Sequence, residues 1–185
     1  LLRRAPLAAS HTFVEDNVNR IMLTCLLLLQ AGELMAATVH DRISLDVDGA
    51  HVFLEVSGPS RSAPLLLFLH GGPGSVAHLV MFQSTVGREL ERDFLVAYLH
   101  QRGSGRSSQV PASEQTIARN VEDVDHVVRH LLQKYGQERV DLVGHSWGGM
   151  LAGAYAVSHP RRIRKLVLVA TAMNFKLLLK DTYQG

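Results

Sequence analysis

The spacing of hydrophobic positions changes twice along the chain. Ile43, Leu45 and Val47 alternate with polar residues, and Val52, Leu54 and Val56 keep the same two-residue spacing. That period turns one face of a strand toward a core. Asp48-Gly49 lies between the two runs, and alternation flanking Asp-Gly predicts a hairpin closed by a type I′ turn. After the loop Gly58-Pro59-Ser60-Arg61-Ser62 the alternation stops. Leu65–Leu69, Phe94–Leu99, Val140–Val143 (broken by Asp141) and Leu166–Ala170 are short apolar runs. Such runs suit strands covered on both faces, as in a parallel sheet.

A second rhythm separates these runs. Ile117, Val121, Val124, Val128, Leu131 and Tyr135 recur three and four apart, which predicts a helix over 113–135 with one apolar stripe. Ser113 is the expected N-cap and Gly136 the closing glycine. Val76–Arg92 is a weaker helical pattern, and Trp147–Ser158 a third helix stopped by Pro160. The order is hairpin, then strands alternating with helices. It implies an α/β fold with a mostly parallel sheet and helices on both faces.

Composition narrows the class. The 185 residues are 46% hydrophobic and 19% charged, which excludes a disordered chain. The net charge of +2 comes with no long basic run, so nucleic acid is not an expected partner. One cysteine, Cys25, allows no intrachain disulfide and suits a reducing compartment. The histidines show no metal-ligand spacing, so no metal or other cofactor is expected.

Residues 1–34 read as lying outside the fold. Ile21–Leu29 is apolar but far shorter than the roughly 20 residues of a spanning helix, so no membrane span is expected. A start at Met35 would lead straight into the strand pattern, and a cytoplasmic location then follows. The alternatives are a structured extension, or a signal over 20–37 that would make the protein secreted or membrane-associated.

The chemistry concentrates in two glycine-rich turns. Gly144-His145-Ser146-Trp147-Gly148-Gly149 holds G-x-S-x-G between an apolar run and a helix. In that context a strand turns sharply into a helix and the central serine is held exposed, which makes Ser146 the candidate nucleophile. The second turn, His70-Gly71-Gly72-Pro73-Gly74, follows Leu65–Leu69. Acyl transfer needs two donors for its oxyanion, and the backbone N–H groups of Trp147 and Gly72 are the expected pair, with Gly71 the alternative to Gly72. Gly71, His70 and His145 are placed around the substrate by their neighbourhood, the two histidines also fitting structural roles. Gln101-Arg102-Gly103-Ser104-Gly105-Arg106-Ser107 lacks the lysine of a phosphate loop. It reads as a brace in which Arg102 and Arg106 bind carbonyls or carboxylates.

HGGPG at 70–74, QRGSGRS at 101–107 and GHSWGG at 144–149, in this order, resemble the α/β-hydrolase superfamily, and within it the proline iminopeptidases. The resemblance covers roughly residues 41–171. It implies an α/β-hydrolase fold and an acyl-enzyme on Ser146, with release of N-terminal proline from a small peptide. The chain differs from that family at His100, where aspartate is usual, and at His145, where glycine is usual and histidine is common in esterases. Epoxide hydrolases and haloalkane dehalogenases carry related loops but use an aspartate nucleophile, against which Ser146 argues.

A serine hydrolase of this fold needs an acid and then a histidine after its serine. After Ser146 the chain holds His159 and then Asp181, the reverse order. His159 also stands roughly 18 Å down the helix at 1.5 Å per residue. The expected organisation is therefore 1–34 outside the core, 35–171 the N-terminal part of the hydrolase core, and 172–185 the start of a connection into a cap. The C-terminal strands, cap, acid and base are expected to be missing. Such a chain is expected to turn over little substrate alone and to self-associate through an exposed sheet edge. Alternatives are an esterase, lactonase or C–C hydrolase of the same fold, or a truncated, non-catalytic pseudoenzyme.

Overall fold

The computed structural model describes residues 38–74 and 76–171. The readings made for 1–37 and 172–185 lie outside the described residues.

The alternating runs pair as β1 (Val39–Val47) and β2 (Ala50–Gly58), antiparallel, with Val47 opposite Ala50. Asp48 and Gly49 close the hairpin with φ of 48° and 78°, the two positive values that a type I′ turn requires. The apolar runs form β3 (Leu65–Leu69), β4 (Leu95–His100), β5 (Val140–His145) and β6 (Ile163–Val169). The sheet order is β1-β2-β4-β3-β5-β6. β2 runs antiparallel to β4, and every pairing from β4 to β6 is parallel. This is the mostly parallel α/β sheet that the patterning predicts, in the α/β-hydrolase arrangement that the resemblance implies.

Both faces of the central strands are covered. Leu65, Leu67, Leu69, Leu95, Ala97 and Leu99 face one core, shared with Val124, Val127, Val128 and Leu131 of α2 (Ile117–Tyr135) and Leu151, Ala152 and Tyr155 of α3 (Trp147–Ser158). Leu66, Phe68, Val96, Tyr98 and Val143 face the other, under α1 (Ala77–Phe82). There Phe82 stacks on Phe68 with ring centroids 3.7 Å apart. The helix runs on through a π-helical turn, Gln83–Gly87, and a last turn, Arg88–Leu90. Each fully buried leucine contributes roughly 1.5–3 kcal/mol.

Three expectations are corrected. α2 starts at Ile117, not Ser113: the Thr116 side chain accepts from the Arg119 N–H at 3.2 Å, while Ser113 lies in a separate 3-10 turn. The apolar stripe begins a turn later than expected, since Ile117 is 37% exposed and Val127 joins the buried set. β6 is not covered on both faces. Leu166, Val167, Leu168 and Val169 are 38–49% exposed, and among the described residues β6 also has a neighbouring strand on one side only. Among the described residues no helix is long and apolar enough to cross a membrane.

Candidate active site

β3 and β5 are neighbours in the sheet, so the turns that follow them emerge side by side. This adjacency brings HGGPG and the serine turn together from positions some 75 residues apart.

Ser146 stands between β5 and α3 with φ 52° and ψ −116°. A non-glycine residue rarely adopts a positive φ, and holding one there costs on the order of 1–3 kcal/mol. The surroundings enforce it. Its N–H donates to the Val169 carbonyl at 2.9 Å, and its carbonyl accepts from Gly149 at 3.0 Å and Met150 at 3.3 Å. The turn is also too tight for side chains on either flank. A Cβ on Gly144 would strike the Gly148 carbonyl, the Gly149 Cα and the Ala152 Cβ. One on Gly148 would strike the carbonyls of Leu69 and His70. The helix after the serine is thus pressed against the backbone where the other loop begins. Trp147 opens α3, whose N-terminal amides lack partners in the helix and suit negative charge.

In the HGGPG loop Gly71 is buried and Gly72 is exposed with φ 143°. His70 was expected beside the substrate. It is fully buried, with its ring turned into the loop, as the structural role also open to it requires. The backbone N–H of Gln101 points at its Nε2 from 3.3 Å. A backbone N–H only donates, so Nε2 carries the lone pair and Nδ1 the proton. Nδ1 then donates to the Gly71 carbonyl at 2.7 Å. His145, also expected near the substrate, ends β5 and is half-buried.

The QRGSGRS segment braces this end of the sheet as its residue types suggest. The buried Arg102 grips Asp123 of α2 with two bonds, Nε to Oδ2 at 2.8 Å and Nη2 to Oδ1 at 2.6 Å, and Nη2 also donates to the Val47 carbonyl at 3.3 Å. Arg106 pairs with Glu55 at 3.0 Å and lies over the Phe53 ring. His100 accepts from the Arg106 N–H at Nδ1, 3.1 Å. Burial lowers the His100 pKa, Glu55 opposes the shift, and the Arg106 charge adds to it.

Sequence reasoning assigned no part to Gln101 beyond this brace. Its side chain joins the two glycine turns: Nε2 donates to the His70 carbonyl at 2.7 Å, and Oε1 accepts from Trp147 Nε1 at 3.0 Å. Nothing in the spacing of residues 70, 101 and 147 announces this bridge. His159, excluded as a base by its distance, ends α3, where its ring stacks on Tyr155 and its Nε2 lies 3.3 Å from Asp125.

The chain belongs to the α/β-hydrolase fold family, whose sequence profile matches residues 64–185. It is similar to a probable aminopeptidase of Bacillus subtilis, 36% identical over 112 residues, covering 58% of this chain and 34% of the relative. It is similar also to a probable proline iminopeptidase of Streptomyces coelicolor, 35% identical over 152 residues, covering 76% and 43% of the two chains. A solved proline iminopeptidase-related protein of Thermus thermophilus superposes with a TM-score of 0.63 at 32% identity, covering 76% and 48%. The chain spans less than half the length of each.

Proposed function

We propose that this chain carries the nucleophile half of a serine hydrolase that works through an acyl-enzyme on Ser146. The observation that carries the reading is the backbone of Ser146, held at positive φ between a buried strand and a helix, beside a glycine loop from the neighbouring strand. Such strain persists only where the surroundings over-determine it, and it lifts the hydroxyl clear of the sheet. The backbone N–H groups of Trp147 and Gly72 then serve as the oxyanion donors. Gly72 is preferred over Gly71 because it is the exposed glycine of the pair. The substrate is a peptide or aminoacyl derivative with N-terminal proline, by analogy with the relatives named proline iminopeptidase.

The histidine that takes the serine proton and the acid that orients it come, in this reading, from sequence that the longer relatives carry beyond the matched half. His159 is committed to Tyr155 and Asp125 at the far end of α3. The test uses the whole protein. It is expected to release arylamine from a proline arylamide and to be labelled by a fluorophosphonate, with Ser146→Ala abolishing both. Labelling that survives Ser146→Ala would overturn the assignment. The 185-residue chain alone is expected to label far more slowly. A second reading, an esterase of the same fold, is favoured by His145 before the serine. Turnover of aryl esters with none of aminoacyl arylamides would select it.

A further inference from the structure

We infer that Gln101 is a positioning residue for the oxyanion hole, tying the HGGPG loop to the turn that holds Ser146. The inference rests on the acyl-enzyme reading for its catalytic meaning, while the clamp itself rests on geometry alone.

Gln101 is 3% exposed, and besides the two bonds that its carbonyl accepts from Ser104, three contacts tie it to the glycine turns. Its backbone N–H reaches His70 Nε2, its Nε2 reaches the His70 carbonyl, and its Oε1 receives the indole N–H of Trp147. The direction of the side-chain amide is not arbitrary. An indole N–H can only donate and a carbonyl can only accept, so one end must be oxygen and the other NH2. Glutamate could serve the indole but would set an oxygen against the His70 carbonyl.

Peptide planarity carries the effect to the donors. In a trans peptide the C=O and the next N–H point in opposite directions in one plane. Holding the His70 carbonyl therefore fixes the direction of the Gly71 N–H. The Gly71 carbonyl is held by His70 Nδ1 at 2.7 Å, which fixes the Gly72 N–H in turn. The ring that does this is itself met at Nε2 by the Gln101 backbone N–H and by Ser104 Oγ, each at 3.3 Å. The side chain of Gln101 thus sets the first peptide plane of the loop, its backbone N–H supports the ring that sets the second, and the same side chain grips that of Trp147, whose backbone N–H is the second donor. Glycines have no side chains with which to resist rotation of these planes. An external tie is therefore needed to keep two N–H groups aimed at one point, and preorganised aim is what gives such donors their effect.

Trp147 is the only tryptophan in the sequence, so its emission reports this contact without interference. Gln101→Leu removes both side-chain bonds, and Gln101→Glu keeps only the indole partner. In the 185-residue chain, Gln101→Leu is expected to shift the Trp147 emission while Gln101→Glu leaves it near that of the unaltered chain. Both are expected to speed hydrogen exchange at the buried Gly71 amide by about tenfold or more, with amides in β3 and β5 unchanged. In the whole protein both are expected to slow fluorophosphonate labelling at saturating probe by about tenfold, a part of the roughly hundredfold to thousandfold cost of deleting an oxyanion donor. The half-saturating probe concentration should barely move. Unchanged exchange at Gly71 in both variants overturns the clamp. Faster exchange with an unchanged labelling rate overturns its role in positioning. A whole protein that does not label above Ser146→Ala refutes the acyl-enzyme reading, and the exchange result still decides the clamp. Should Gln101→Leu not fold, Trp147→Phe cuts the indole tie from the other side and is expected to raise exchange at the same Gly71 amide.

Discussion

Two turns in this molecule hold a non-glycine residue at nearly the same positive φ: Asp48 at 48° in the hairpin and Ser146 at 52° after β5. They reach it for opposite reasons. At the hairpin the conformation is local. Asp-Gly is the preferred pair for a type I′ turn, and Cβ atoms there meet open space, as nothing lies within 4 Å of one placed on Gly49. At Ser146 the conformation is imposed from outside, by the Val169 carbonyl, the packing of α3 on the backbone after β3, and the glycines on both sides. A turn set by its own residues can sit on the surface and do nothing else. A turn set by other segments of the chain stores strain and aims a side chain.

The largest difference should come from the brace beneath the second turn. Asp123→Asn removes the charge paired with the buried Arg102, and stripping one partner of a buried pair costs about 3–5 kcal/mol. A fall in the urea midpoint at unchanged slope would measure it. Gly148→Ala comes next, because its Cβ must displace the carbonyls of Leu69 and His70. Overpacking of this kind costs roughly 1–3 kcal/mol, read from thermal denaturation, and an effect near zero would mean that the close approach is not rigid. Gly49→Ala should cost about 1–2 kcal/mol through its backbone alone, since no neighbour opposes the new methyl.

Smaller changes sharpen the contrast in sign. Ser146→Gly should stabilise the fold by up to about 1 kcal/mol, the released strain exceeding the entropy lost to glycine. Asp48→Gly should stay within about 0.5 kcal/mol, because aspartate tolerates that backbone. A stabilised Ser146→Gly with a neutral Asp48→Gly is the pattern expected if only one turn is strained. The smallest effect is in pH. The His100 pKa is lowered below its ordinary 6.5 by burial, so the stability it contributes is present above that value and lost as pH falls below it. Burial and Lys134 lower His130 as well, so His130→Gln separates the two. Asp41 of the hairpin behaves differently. Burial raises its pKa, but the Tyr135 hydrogen bond and the charges of Lys134 and Arg61 outweigh this and hold it below 3.8. The stability it adds is lost only in stronger acid. Hydrogen exchange followed from pH 7 to 4 should therefore loosen the segment around His100 before the hairpin.

The elements most legible in the sequence were those that answer to local rules. The hairpin, the buried strands and the bounds of α3 were set by period, turn pair and proline, and the observed elements follow them. The start of α2 was missed because Ser113 and Thr116 are both good caps, and only the fold decides which meets the first turn. The exposure of β6 was missed because an apolar run is the same run at the centre of a sheet or at its border. The two glycine turns were legible as motifs. The burial of His70 and the reach of Gln101 were not, since they depend on which strands lie side by side.

The sequence by itself thus determined the kind of fold, the two turns, and the serine and glycines within them. These follow from hydrophobic period and from conformations that few residues tolerate. Tertiary structure alone decided that β3 and β5 are neighbours, that His70 turns inward, and that one glutamine ties the loops together. The physical reason is distance along the chain. Residues 70, 101 and 147 share no local rule, and only the crossed order of a parallel sheet brings their hydrogen bonds within reach.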